Sequence, residues 1–148
     1  MKKTNPVMAC ITAQESCERI IDKAKELASH LDTILEVVTV QPKRMEATQR
    51  AKEMKSLEYL SKKTNCSITV IYSEHPLDSL ASHAASMDPA HIFVGQQSEE
   101  SAFVGKLSSL CDSPISMVTC DTVFTIPSSC KLATLRIVWL ILEMPLIY

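Results

Sequence analysis

Apolar residues recur along this chain with two alternating periods. Residues 7–11 form a short continuous apolar run, long enough for a buried strand. Cys17, Ile20, Ile21, Ala24, Leu27, Ala28 and Leu31 then recur at helical spacing, which predicts a helix over residues 13–30. Thr12 stands ahead of Glu15 with the spacing of a capping box. Residues 33–40 are rich in β-branched side chains and predict a second strand, ended by Pro42. Ala47, Ala51, Met54, Leu57 and Leu60 mark a second amphipathic helix that closes near Thr64 and Asn65. Residues 67–72 predict a third strand. Pro76 fits the first turn of a helix with Leu77, Leu80, Ala81, Ala84 and Ala85 on its apolar face. Asp88 and Pro89 break that helix, and residues 90–94 predict a fourth strand. Phe103, Leu107, Leu110 and Cys111 mark a last short helix, and Pro114 precedes a fifth strand over residues 115–119.

Strand and helix alternate throughout. That order calls for an α/β fold with an open five-stranded parallel sheet, right-handed crossovers and helices on both faces. The expected strand order is 3-2-1-4-5, which reverses between the first and fourth strands. Ligands in such sheets sit outside the carboxyl ends of the strands at that reversal. The loops over residues 11–14 and 95–98 therefore bound the expected crevice.

Composition narrows the chemistry. The chain has 148 residues, 22% of them charged, and a net charge of −2. This is one ordinary globular domain with no basic excess for nucleic acid. Only two glycines are present, Gly95 and Gly105, which excludes the Walker loop and the dinucleotide fingerprint. The six cysteines form no C-x-x-C pair and have no histidine at zinc-finger spacing. They read as structural thiols in a reducing, cytoplasmic setting. The first six residues carry charge but no apolar h-region follows, so they do not read as a secretory signal.

Three segments together resemble the universal stress protein family. These are the helix start Ser16-Cys17-Glu18-Arg19-Ile20-Ile21, the strand-to-glycine turn His91-Ile92-Phe93-Val94-Gly95, and the closing Pro114-Ile115-Ser116-Met117-Val118. The resemblance covers about residues 6–120 and rests on order and spacing. It extends to the stress-protein-like domain of potassium-sensing histidine kinases. It implies the adenine-nucleotide alpha-hydrolase-like fold, with ATP or AMP as the ligand where one is bound and no cofactor required. ATP-binding members carry an acidic residue after the first strand, where this chain has Thr12. They also carry a loop of the form G, two residues, G, nine residues, G, then S or T. Gly95 matches the first glycine and Ser98 replaces the second. Strict counting puts Ser108 and Ser109 at the loop's end, whereas counting back from Pro114 puts Ser101 and Ala102 there. On either count the triphosphate cradle is degraded.

The residues expected at a nucleotide site, if one is retained, are Thr12, Ala13, Val40, Gly95, Gln96, Ser98 and Ser101. Each has a plainer reading. Thr12 and Ser98 suit N-caps, Gly95 suits a turn with positive φ, and Val40 suits core. Glu99 and Glu100 are either ordinary acids of a helix first turn or a charge that repels phosphate there. His30, His75, His83 and His91 read as structural, because metal sites need several converging ligands. Cys10 is the thiol nearest the crevice, and its place in an apolar strand argues against reactivity.

Character changes near the end of the chain. Residues 1–125 form the expected domain and residues 126–148 an apolar tail. The tail carries Arg136, Glu143 and Pro145 and is too short for a membrane span. It is expected to pack on the domain or on a second subunit through Ile137, Trp139 and Leu140, or else to be a non-native extension. The family resemblance further implies a homodimer through the fifth strand, at Ile115 and Met117. Three functions follow: a non-catalytic regulatory stress-response module with a degenerate nucleotide loop, an AMP- or ATP-binding protein with weak or no ATPase activity, or a cysteine enzyme. The first fits an intact scaffold with a degraded loop.

Overall fold

The computed structural model of this chain describes residues 5–12, 17–95, 103–119 and 123–126. β1 (Val7–Ile11) is buried along its whole length, as a strand covered on both faces must be. α1 (Glu18–His30) turns Ile20, Ile21, Ala24 and Ala28 inward, the stripe its spacing predicts. β2 (Leu35–Gln41) starts two residues later than expected. Thr33 instead serves the preceding turn, its N–H donating to Ala28 O and its hydroxyl to Asn5 O. α2 (Ala47–Thr64), β3 (Ile68–Tyr72) and α3 (Pro76–Met87) follow, then β4 (His91–Gly95), α4 (Phe103–Leu110) and β5 (Ile115–Val118).

The strands lie in the order β3-β2-β1-β4-β5, with neighbouring pairs parallel, as the alternation predicts. A sixth strand that the pattern did not predict, β6 (Val123–Ile126), adds antiparallel to β5. The sheet is therefore mixed, and β5 is not its edge. The backbone edge expected to be open at Ile115 and Met117 is occupied, with Ile115 opposite Ile126 and Met117 opposite Phe124. The run Val-Phe-Thr-Ile is β-branched and aromatic, which was a usable strand signal. The stretch 127–148 lies outside the described residues, as does the expected packing of Ile137, Trp139 and Leu140.

Alternate residues of each strand feed two cores. On one face Val7, Ala9, Val37 and Phe93 pack against Ile20, Ile21 and Ala24 of α1 and Leu57 and Leu60 of α2. On the other face Met8, Cys10, Val38, Ile92 and Ile115 pack against Leu80 and Ala84 of α3 and Leu107 and Cys111. This period of two is the geometry of the pleat. At about 25 cal/mol per Å2 each fully buried aliphatic side chain contributes roughly 1.5–3 kcal/mol.

The scarcity of glycine shows at helix ends. A residue of left-handed conformation follows α1, α2 and α3: Asp32 (φ 53°), Asn65 (φ 55°) and Asp88 (φ 48°). Asp and Asn tolerate this region better than other residues with a Cβ. Asn65 N–H donates in this position to Ser61 O, and Asp88 N–H to Ala84 O.

Candidate functional site

The order of the sheet reverses between β1 and β4, and the two strands part there. β1 pairs with β2 as far as Ile11, and β4 pairs with β5 as far as Gly95. Their mutual ladder ends earlier, at Ala9 opposite Phe93. The last two residues of each strand lie beyond that shared ladder. Parting strands at a reversal point make a crevice at their carboxyl ends, which is where the sequence pattern places a ligand.

Thr12 stands exposed at the mouth of this gap. Its N–H donates to Cys17 Sγ at 3.4 Å, and its hydroxyl lies 3.5 Å from the same sulfur. α1 is described from Glu18, with Cys17 at its N-cap position and no side-chain cap bond. Glu15, the other half of the expected capping box, lies outside the described residues.

Gly95 ends β4 on the other side of the gap, but it does not make the turn its sequence suggested. Neither glycine of the chain has a positive φ. Instead a Cβ built on Gly95 would lie 2.9 Å from Ile20 Cδ1. Glycine lets Ile20 of α1 lie close against the end of β4. Val40 is half-buried at the end of β2 and packs into the α3-side core, as its plainer reading held. Ala13, Gln96, Ser98 and Ser101 lie outside the described residues, as do Glu99 and Glu100. Of the expected site, the structure brings Thr12 and Gly95 to one gap.

Arg19 belongs to the same end of the sheet, and sequence reading gave it no role beyond its place in the family-like helix start. Its Nε donates to Thr119 O at 2.7 Å, just past the end of β5. Its neighbour Glu18 turns to Lys63, 3.2 Å away. No single-sequence signal marks a contact between residues so far apart in the chain.

Burial, with Cys111 nearby, pushes the Cys10 thiol up to about 12, so it is protonated at neutral pH. His91 Nε2 lies 2.6 Å from Ser116 Oγ, which in turn lies 2.7 Å from Thr125 Oγ1. Ser116 is only 2% exposed, so this serine–histidine pair has no access to a substrate. His83 Nε2 lies 3.6 Å from Glu36 Oε1, and that oxygen also accepts from Thr69 Oγ1 at 2.7 Å. His75 precedes Pro76 at the start of α3, and His30 ends α1. Among the described residues no three metal-ligating side chains converge. A surface groove of about 490 Å3 runs beside the edge strand β3, lined by Ile71, Ser73, His75, Asp78, Ser79 and His83 among others. No described helix is long and apolar enough to cross a membrane.

No family model matches the chain, and no curated protein matches it by sequence. Solved structures do match its fold. A universal stress protein from Archaeoglobus fulgidus is 15% identical, with a TM-score of 0.64 over 76% of this chain and 92% of that one. A universal stress protein in complex with cAMP is 14% identical, with a TM-score of 0.63 over 80% of this chain and 98% of that one. The universal stress protein from Archaeoglobus fulgidus in complex with dAMP is 16% identical, with a TM-score of 0.57 over 79% of this chain and 98% of that one. The chain has the universal stress protein fold, with one strand added to its sheet.

Proposed function

We propose that this chain is a non-catalytic, cytoplasmic regulatory module of the universal stress protein type, with its ligand crevice at the parted ends of β1 and β4. The observation that carries the reading is the early end of the β1–β4 ladder at Ala9 and Phe93. It supports an intact binding scaffold. The described residues at that gap bring no evident group to serve a reaction. Thr12 brings a hydroxyl where ATP-binding relatives bring a carboxylate, and the Cys10 thiol is held protonated by burial.

A second reading is favoured by a specific observation. Two solved neighbours hold adenine monophosphates, cAMP and dAMP. A crevice that keeps the backbone approach at Thr12 and Gly95 suits a ligand with one phosphate better than one with three. ATP needs the glycine-rich cradle, which this sequence lacks.

Thermal melting with and without millimolar AMP or ATP tests both readings, together with mass spectrometry of any co-purified small molecule. Selective binding to the folded state raises Tm. A rise with AMP and not ATP supports the second reading. No rise and no released nucleotide leaves the first reading, with the crevice unoccupied in function. A rise accompanied by turnover of ATP overturns the non-catalytic assignment.

A dimer along β5 remains part of this proposal in altered form. With β6 on the outer edge of β5, a second copy has to exchange that strand or pair with it. Light scattering of the full chain at micromolar concentration gives the state, and a clean monomer removes the dimer.

A further inference from the structure

We infer that Arg19 is the anion-binding group of the crevice, and that the ligand it selects is a phosphomonoester. The inference rests on the crevice being a ligand site and names the group that holds the ligand's charge.

Arg19 is the second residue of α1 and half-buried. Its side chain crosses to β5, where Nε donates to Thr119 O at 2.7 Å. Gly95 is paired with Val118, so Thr119 follows directly on the pair that ends β4. The guanidinium is thereby fixed at the carboxyl ends of β4 and β5, on one flank of the gap.

A carbonyl orients a guanidinium without neutralising it. No carboxylate among the described residues comes within ion-pair distance of Arg19, and its neighbour Glu18 is taken up by Lys63 at 3.2 Å. Its two Nη nitrogens have no hydrogen-bond partner among the described residues. Arg50 makes the contrast. It too donates to carbonyls, of Pro42 and Lys43, but its guanidinium is also stacked 5.0 Å over the Tyr72 ring. Among the described residues only Nε of Arg19 is engaged, which leaves an oriented fork of the shape that receives two phosphate oxygens together.

The loss of glycine makes this group matter. Backbone N–H groups can cradle phosphate only where the chain comes close, and that generally requires glycine. The loop after Gly95 has none until Gly105. A single fixed guanidinium can replace such a cradle for one phosphate, but not for a chain of three.

Titration calorimetry of the full chain with AMP and with adenosine tests this. Arg19 is expected to make AMP bind about tenfold or more tighter than adenosine, as a charge-assisted bidentate contact does. Arg19→Gln should bring that ratio close to one and leave adenosine affinity unchanged. Arg19→Lys should keep part of it, since charge remains and the fork does not. If Arg19→Gln does not fold, the lysine variant decides, and an unchanged ratio there overturns the inference. Adenosine binding with no preference for AMP overturns the role of Arg19 but leaves the crevice. Failure of both ligands to bind overturns the nucleotide reading of the crevice and this inference together.

Discussion

Ile20 Cδ1 stands 2.9 Å from where a Cβ would lie on Gly95, so the end of β4 and the first turns of α1 meet closely where one of them lacks a side chain. The contact couples the scaffold to the crevice, since Gly95 ends the strand that forms one wall of the gap.

Gly95→Ala should destabilise the fold by about 1 kcal/mol, toward the low end for overpacking because Cδ1 ends a flexible side chain. Ile20→Val removes that carbon and should cost about 0.5–1.5 kcal/mol alone. Together they should cost clearly less than the sum, because the valine makes the room that the alanine needs. Urea denaturation of the four proteins of this cycle measures the coupling. Additivity within about 0.3–0.5 kcal/mol would mean that the two sites do not touch.

Among the described thiols Cys10 should be slow to label, as should Cys17 and Cys111. Cys10 and Cys111 are 8% exposed and Cys17 4%, and the Cys10 thiol is pushed up to about 12. At pH 8 roughly one part in ten thousand is then thiolate, against about a quarter for a free cysteine. Cys66 is half-buried and should react first among the described thiols. Mass spectrometry of tryptic peptides after brief alkylation of the folded protein reads this directly. Labelling of Cys10 at the rate of Cys66 would restore the cysteine enzyme that burial argues against.

Asn65 offers a test of how the chain manages with two glycines. It is exposed and left-handed, with φ 55°. Asn65→Gly should raise stability by about 0.5 kcal/mol and Tm by about 2 °C, because glycine adopts this region without strain. Asn65→Val should lower stability by about 1–2 kcal/mol, since a β-branched residue is an outlier there. Calorimetric melting distinguishes them, and a destabilised glycine variant would show that the Asn side chain, not its backbone, holds the end of α2.

Much of this architecture was legible because the physics behind it is local. The run 7–11 is apolar at every position because β1 is covered on both faces, and Ile20, Ile21 and Ala24 repeat at the helical period because α1 covers one. Strand order follows from the alternation together with crossover handedness. The misreadings concern relations that spacing does not encode. Gly95 reads as a turn residue in sequence, and only the approach of Ile20 shows that space decides it. Arg19 meets Thr119 across a hundred residues. β6 has a strand's composition, but only four residues behind a polar approach, and the expected domain boundary at residue 125 fell one residue short of its end.

His91, Ser116 and Thr125 link β4, β5 and β6 by hydrogen bonds of 2.6 and 2.7 Å, and this polar chain is expected to set the stability of the added strand at acid pH. Burial lowers the His91 pKa from its ordinary value of 6.5. The unfolded chain therefore takes up a proton before the folded one does. Stability from this residue is complete above the ordinary histidine value and is lost as pH falls from there toward the depressed folded value. His91→Gln keeps a polar side chain but cannot titrate, so it should flatten this part of the stability–pH curve. Ser116→Ala leaves His91 and Thr125 without their shared partner and should cost about 1–2 kcal/mol. Urea midpoints between pH 5 and pH 8 test both. A wild-type curve that does not fall below pH 6.5, or a His91→Gln curve of the same slope, would remove the histidine from the account and leave β6 held by its backbone ladder alone.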